Sequence, residues 1–219
     1  MTLAATDFYA AALQSAGTRS ADETWFVHYE NGRRYPLAGA LDRWTGQADE
    51  VDLGLLARTR GTILDVGCGP GRLAAELAHQ GRHALGLDIS PTALRLARRS
   101  GATVIRRSVF DPVHGEGMWG TVLLADGNVG IGGDPVTLLR RCRELVAPGG
   151  RVLVETERPG VGLRTTRIRL ERAGEASDWF DWAHVGCERI ADLGADAGLH
   201  LGEAWDQSGR FFAALHRPH

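Results

Sequence analysis

Lysine is missing altogether, so all 25 basic residues are arginine. That excludes a Schiff-base or nucleophilic lysine and a Walker-type phosphate lysine. The bias is otherwise the ordinary mark of a GC-rich coding sequence. Cysteine is scarce, and Cys68, Cys142 and Cys187 lie far apart. An odd, scattered set without a Cys-x-x-Cys pair supports neither a disulfide framework nor structural zinc. Long apolar runs are lacking too. No stretch approaches the roughly 18 residues of a membrane span. Met1 to Asp7 also lacks the basic-then-apolar pattern of a secretory leader, so a cytoplasmic location is expected. Excess charge is absent as well. At a net −2 the chain has no global field toward nucleic acid or an anionic membrane, and neither is expected as a partner.

What remains is an ordinary globular composition, and 219 residues suffice for one domain with a substantial core. Between about residues 61 and 157, short β-branched runs alternate with helical stretches. Strands are expected at 62–66, 83–88, 102–106, 119–125 and 151–156. Helices are expected at 72–80, after Ser90-Pro91 and after Asp134-Pro135, where a capping side chain precedes a proline suited to the first helical turn. Such alternation specifies a doubly wound α/β fold with a mostly parallel sheet. The flanks divide into an N-terminal segment 1–60, with helices near 8–13 and 52–60, and an insertion 158–186 with a strand at 165–170. A closing segment 187–219 follows, with a helix at 187–197 and an antiparallel hairpin of 200–205 with 210–215.

The chemistry concentrates at Asp65-Val66-Gly67-Cys68-Gly69-Pro70-Gly71-Arg72, a strand end that turns on glycines into a helix. Ligands of doubly wound folds sit at such turns, where glycines permit tight bends and close backbone approach. A dinucleotide fingerprint would place a third glycine where Arg72 stands and would offer a helix N-terminus to a pyrophosphate. Here Asp65 would repel a pyrophosphate and would suit an ammonium group. S-adenosylmethionine carries an ammonium and a sulfonium and no phosphate. Further on, Asp88 ends the second strand before Ile89, at the place where an acid takes the ribose hydroxyls of any adenosine cofactor.

The glycine-rich stretch resembles the first motif of the class I S-adenosylmethionine-dependent methyltransferases, and the segment Leu145 to Leu153 is similar to their later helix-turn-strand motif. The likeness covers roughly 61–157 and is greatest to small stand-alone bacterial members. It implies a Rossmann-like fold, S-adenosylmethionine as cofactor, and cofactor contacts from Asp65, Gly67, Cys68, Gly69, Gly71, Asp88 and Ile89. Ser108 stands where the family often has an acid for the adenine amine, Val109 would offer its backbone amide, and Asp111 is either a substitute acid or a turn residue. Asp126 and Asn128, after the fourth strand, would lie beside the methionine portion, where either orients a nucleophile or caps a loop.

Methyl transfer depends mainly on alignment and exclusion of water, and it needs a base only when the acceptor loses a proton. The acceptor pocket, for a small molecule, is expected in the flanks, where aromatics cluster: Trp25, Tyr29 and Trp44 before the first strand, Trp179 and Trp182 in the insertion. His28 and His184, with Asp126, are the candidate bases. Three functions stay open: a small-molecule methyltransferase, a non-catalytic protein binding S-adenosylmethionine or S-adenosylhomocysteine, and an NAD(P)-dependent oxidoreductase. Monomer and homodimer are both compatible with the sequence.

Overall fold

The computed structural model describes residues 4–16 and 24–219, so Met1 to Leu3, the start of the stretch read for a secretory pattern, lie outside the described residues. The chain opens with α1 (Ala5–Ser15), β1 (Phe26–Tyr29), β2 (Arg34–Pro36), α2 (Ala38–Thr45) and α3 (Glu50–Leu56). The alternating core follows: β3 (Ile63–Val66), α4 (Arg72–His79), β4 (Ala84–Asp88), α5 (Pro91–Arg99), β5 (Val104–Arg106), β6 (Trp119–Leu124), α6 (Pro135–Leu145) and β7 (Val146–Thr156). It closes with β8 (Leu163–Arg172), β9 (Glu175–Ala176), β10 (Phe180–Val185), α7 (Ile190–Asp196), β11 (His200–Gln207) and β12 (Arg210–His216).

Strands β3 to β7 run parallel, and β12 and β11 add antiparallel, in the order β11-β12-β7-β6-β3-β4-β5. This is the doubly wound fold expected. The sheet is apolar on both faces because both are covered. Leu64, Val66, Val122 and Val154 pack with Leu138, Leu139, Cys142 and Leu145 of α6. The alternate residues Ile63, Leu123 and Leu153 turn to α3 and α4, against Leu55, Leu56, Leu73 and Leu77. Each fully buried leucine contributes about 1.5–3 kcal/mol. Ser90 caps α5 by accepting from the Ala93 amide, and Asp134 caps α6 by accepting from the Thr137 amide.

The expected strand at 151–156 begins earlier, at Val146, because Val146 pairs with Trp119 before a register shift restores pairing at Thr121 with Arg151. Five further elements escaped the sequence pattern: β1, β2, α2, β9 and β10. β1, β2 and β10 join β8 in a second, antiparallel sheet of order β10-β8-β1-β2, with β9 alongside β8. Helices α1 and α2 anchor this sheet through Phe8, Ala12, Leu13, Trp25, Leu37, Leu41 and Leu170.

Candidate active site

The parallel strands reverse order between β3 and β6, and a crevice opens at their carboxyl ends there, as doubly wound sheets dictate. The second sheet and the first two helices roof it, leaving a cavity of about 850 Å³.

Its floor is the glycine turn. Gly67 adopts φ +70°, and a Cβ there would lie 2.7 Å from the Asn128 amide nitrogen. Asn128 donates from that nitrogen to the carbonyls of Val66 (2.9 Å) and Gly67 (3.0 Å), so it clamps the turn rather than addressing a nucleophile. Gly71, expected at the cofactor, does not line the cavity. It caps α4 at φ +85°, where a Cβ would come 2.6 Å from Ala97 Cβ, so its glycine serves the packing of α4 on α5.

Two carboxylates face the cavity from adjacent strands. Asp65 is 2 % exposed, and its Oδ2 has no hydrogen-bond partner. Burial, with Asp126 and Asp88 nearby, pushes its carboxyl up to about 7. Asp88 accepts from the Gly69 amide through Oδ2 (2.9 Å) and from the Ser90 amide through Oδ1 (2.7 Å). Burial raises its pKa, and these backbone donors oppose the rise. Its remaining lone pairs are oriented and available for hydroxyl donors. An anionic pyrophosphate would meet both acids. An orphaned carboxylate beside a rigid hydroxyl acceptor fits the ammonium and ribose of S-adenosylmethionine.

Beyond Asp88 the cavity is lined by Ile89, Ser108, Val109 and Phe110. Ile89 and Phe110 are exposed apolar side chains, 52 % and 45 %, and Phe110 faces Gly132 across the slot. These apolar faces could pack on a flat ring, and the phenylalanine was not foreseen. Ser108 Oγ accepts from the Phe110 amide at 3.2 Å, and Arg141 braces the loop by donating to the carbonyls of Val109 and Asp111. Asp111 is exposed and lies outside the cavity lining, so of its two readings the turn residue fits.

Under the turn lies a charge network that sequence reasoning missed. The buried side chain of Arg72 forms ion pairs with Asp52 and, at 2.7 Å, with Asp126. Arg210 reaches Asp52 (2.9 Å) and Glu155 (2.8 Å), and Glu155 accepts from the Asp126 amide (2.8 Å). Arg43 stands 3.6 Å from Asp126 Oδ1, with Arg210 at 3.9 Å. Asp126, at φ +53°, is thus surrounded by guanidinium groups and braces the loop after β6. The available signal was Asp49-x-x-Asp52, a capping box that turns Asp52 inward at the start of α3.

The roof supplies the other wall. Tyr29, Trp44, Trp182 and His184 line the cavity, together with Tyr9, Phe180 and Glu157. His184 contacts Glu157 Oε1 through Nδ1 (3.0 Å) and the Tyr29 hydroxyl through Nε2 (3.1 Å), with the two rings stacked 5.6 Å apart. The hydrogen bond from His184 holds the Glu157 carboxyl below its ordinary value. Burial, then the charge of Glu157, raises the Tyr29 phenol. Three expected residues stand elsewhere. His28 pairs with Glu171 (2.9 Å) and Arg169 on the opposite face of the second sheet, because strand alternation puts Val27 and Tyr29 inward. Trp179 packs against His28 and Arg169 on that same face. Trp25 is 3 % exposed and donates to Ser15 Oγ in the α1 core.

No helix among the described residues is long and apolar enough to cross a membrane. Residues 63–150 match the model of a family described as a methyltransferase domain. Curated relatives include ubiquinone biosynthesis O-methyltransferases of Pseudomonas paraeruginosa, 36 % identical over 104 residues, and Cereibacter sphaeroides, 33 % identical over 99 residues. Each match takes in 43 % of this chain, and it spans 44 % and 40 % of the two relatives, less than half their length. Among solved structures, a SAM-dependent methyltransferase from Bacteroides fragilis in complex with S-adenosyl-L-homocysteine aligns with TM-score 0.79 and 22 % identity, covering 100 % of this chain and 98 % of the other. A 1,6-didemethyltoxoflavin-N1-methyltransferase from Burkholderia thailandensis aligns with TM-score 0.59 and 20 % identity over 100 % of this chain and 93 % of its own. At these identities the structures share the fold.

Proposed function

We propose that this chain, whose residues 63–150 match the model of a methyltransferase domain, is a class I methyltransferase that transfers a methyl group from S-adenosylmethionine to a small molecule held under the second sheet. The observation that carries the proposal is the unpartnered Asp65 carboxylate facing the same cavity as Asp88. Asp65 takes the ammonium, Asp88 the ribose hydroxyls, and the slot of Ile89, Ser108, Val109 and Phe110 takes the adenine. The glycine turn, with Gly67, Cys68 and Gly69, lets the cofactor approach the backbone. The bound cofactor supplies a methyl group on positive sulfur, already activated toward an electron pair. Alignment and exclusion of water then account for much of the rate. Asp126 and Asn128 position the loop that borders the methionine portion, and His184 is the base where one is needed.

A roofed cavity lined by aromatics, on a chain of net charge −2, suits a small acceptor rather than nucleic acid or a membrane surface. A cytoplasmic setting accords with that reading. Calorimetric titration with S-adenosylmethionine, S-adenosylhomocysteine and NAD, repeated on Asp88→Ala, tests it. Micromolar binding of both sulfur nucleotides, none of NAD, and loss in the variant support the proposal. Binding of NAD alone, or of no nucleotide to protein freed of co-purified ligand, overturns it. Binding without transfer to any acceptor would leave the chain a non-catalytic binding protein.

A further inference from the structure

Resting on that reading, we infer that the chain is an O-methyltransferase for a flat phenolic or enolic hydroxyl, whose proton leaves through Tyr29 to His184, held by Glu157. The three groups come from three strands. Tyr29 ends β1, His184 lies on β10, and Glu157 directly follows β7. Their distances, 3.0 Å from Glu157 to Nδ1 and 3.1 Å from Nε2 to the phenol oxygen, make a continuous hydrogen-bonded chain. Glu157 fixes the tautomer, so the Nδ1 proton points to the carboxylate and Nε2 accepts from Tyr29. The Tyr29 oxygen then keeps lone pairs for an incoming hydroxyl.

The location follows from sheet order. The hydroxyl acceptor Asp88 ends β4, and the ammonium acceptor Asp65 lies on β3. Continuing in that direction leads to β6, then β7. The end of β7 is where Glu157 stands. Trp182, two residues before His184, packs on Gly130 and bridges Ile131 in the loop after β6. The relay therefore stands on the acceptor side of the cavity, beyond the amino-acid end of the cofactor.

The chemistry selects the substrate class. An amine attacks through its lone pair and sheds its proton afterwards, so it needs no relay. A neutral hydroxyl is a poor nucleophile until its proton departs. A phenol is close enough in acidity to exchange a proton with Tyr29 far more readily than an alkanol does. In the step, the acceptor oxygen forms a bond to the methyl carbon while the carbon–sulfur bond breaks and sulfur keeps that electron pair. The acceptor proton passes to Tyr29 as the Tyr29 proton passes to His184 Nε2, and the imidazolium is neutralised by Glu157 until water removes the proton. Phe180 and Trp182 on the same wall suit a flat ring. Glu155 and Glu157 are already paired with Arg210 and His184, and Asp181 sits at the exposed rim, so this wall offers no buried free carboxylate for a cationic amine.

The test uses His184→Gln, Glu157→Gln and Tyr29→Phe with a panel of phenols of graded acidity and their aniline counterparts. Calorimetry first establishes that each variant binds S-adenosylhomocysteine within about threefold of wild type, which separates failure here from failure of the cofactor reading. Wild type methylates phenols and not anilines. The variants lose about 10²- to 10⁴-fold in kcat on ordinary phenols but less than tenfold on nitrophenols already ionised in the assay. A merely structural role would depress both groups equally, and that result overturns the inference, as do methylation of anilines in preference or full activity of His184→Gln. A readout independent of turnover is the phenolate absorbance of 4-nitrophenol bound with S-adenosylhomocysteine. Its apparent pKa rises by at least about one unit in His184→Gln, and an unchanged value refutes proton transfer to His184.

Discussion

With the cofactor held as proposed, the unpartnered carboxylate of Asp65 couples its binding to a proton. Its pKa is raised from 3.8 to about 7 by burial and the neighbouring acids. An ammonium docking beside it restores the anion, so binding below pH 7 expels a proton. At pH 6 roughly nine-tenths of the free protein carries it, so about 0.9 proton leaves per cofactor bound, and affinity falls about tenfold per pH unit. Above about pH 8 the cofactor loses its own α-amino proton, and affinity declines on that side too. Calorimetry at pH 6 in two buffers of different ionisation enthalpy counts the released proton. Asp65→Asn abolishes the release and the acid limb, and it weakens plateau affinity about 10- to 100-fold through loss of a charged hydrogen bond. 5′-Methylthioadenosine, which lacks the amino-acid end, binds wild type without an acid limb.

The same residue sets a stability trend of opposite benefit. A carboxyl whose pKa rises on folding holds its proton more tightly in the native state, so the ligand-free fold loses stability as pH rises from about 4 to about 7. A shift of about 3 units amounts to about 4 kcal/mol at most. Asp65→Asn therefore raises the Tm of ligand-free protein by several degrees at pH 8 and scarcely changes it at pH 4. Flat cofactor affinity between pH 6 and 8 without buffer-dependent heat refutes the ammonium site. An unchanged Tm at pH 8 refutes the burial cost.

Arg72→Met leaves buried Asp52 with Arg210 alone and Asp126 with only the more distant Arg43 and Arg210, and lowers unfolding free energy by about 3 kcal/mol, read from urea midpoints; a loss under 1 kcal/mol would mean the network is hydrated in solution. Gly71→Ala forces a side chain into φ +85° against Ala97 and costs about 1–3 kcal/mol, while the folded fraction keeps its cofactor Kd within about threefold. A large affinity loss in that variant would return Gly71 to the cofactor site. Phe110→Ala weakens S-adenosylmethionine and 5′-methylthioadenosine equally, by about tenfold, because both share the adenine it faces; an effect on only one of them would move Phe110 away from the ring.

That Asp65, the glycine turn and Asp88 share one crevice was legible because the information is local. A strand end, its glycine turn and the next helix lie within ten residues, and Asp88 follows in the adjacent βα unit, so residue spacing alone constrains where their side chains meet. The acceptor side is not local. Tyr29 meets His184 across 155 residues, and His184 meets Glu157 across 27, through the pairing of β8 with both β1 and β10. β2 is three residues long and exposed at each of them, so it has no apolar alternation to read, and β10 has too few residues for its period to stand out among its aromatics. Register then decided the two histidines: a one-residue difference along β1 sends Tyr29 inward and His28 outward. The same distance hid Arg72 with Asp52 and Arg210, a network assembled from α3, α4 and β12. Asp126, read as a base or cap from its place after β6, proves to be the anion that ties this network to the crevice floor. One sheet therefore lines the crevice with sequential neighbours, and the second sheet roofs it with remote ones. On the proposed reading, substrate choice rests on the strand pairing of that second sheet, the part of the chain whose local pattern is weakest.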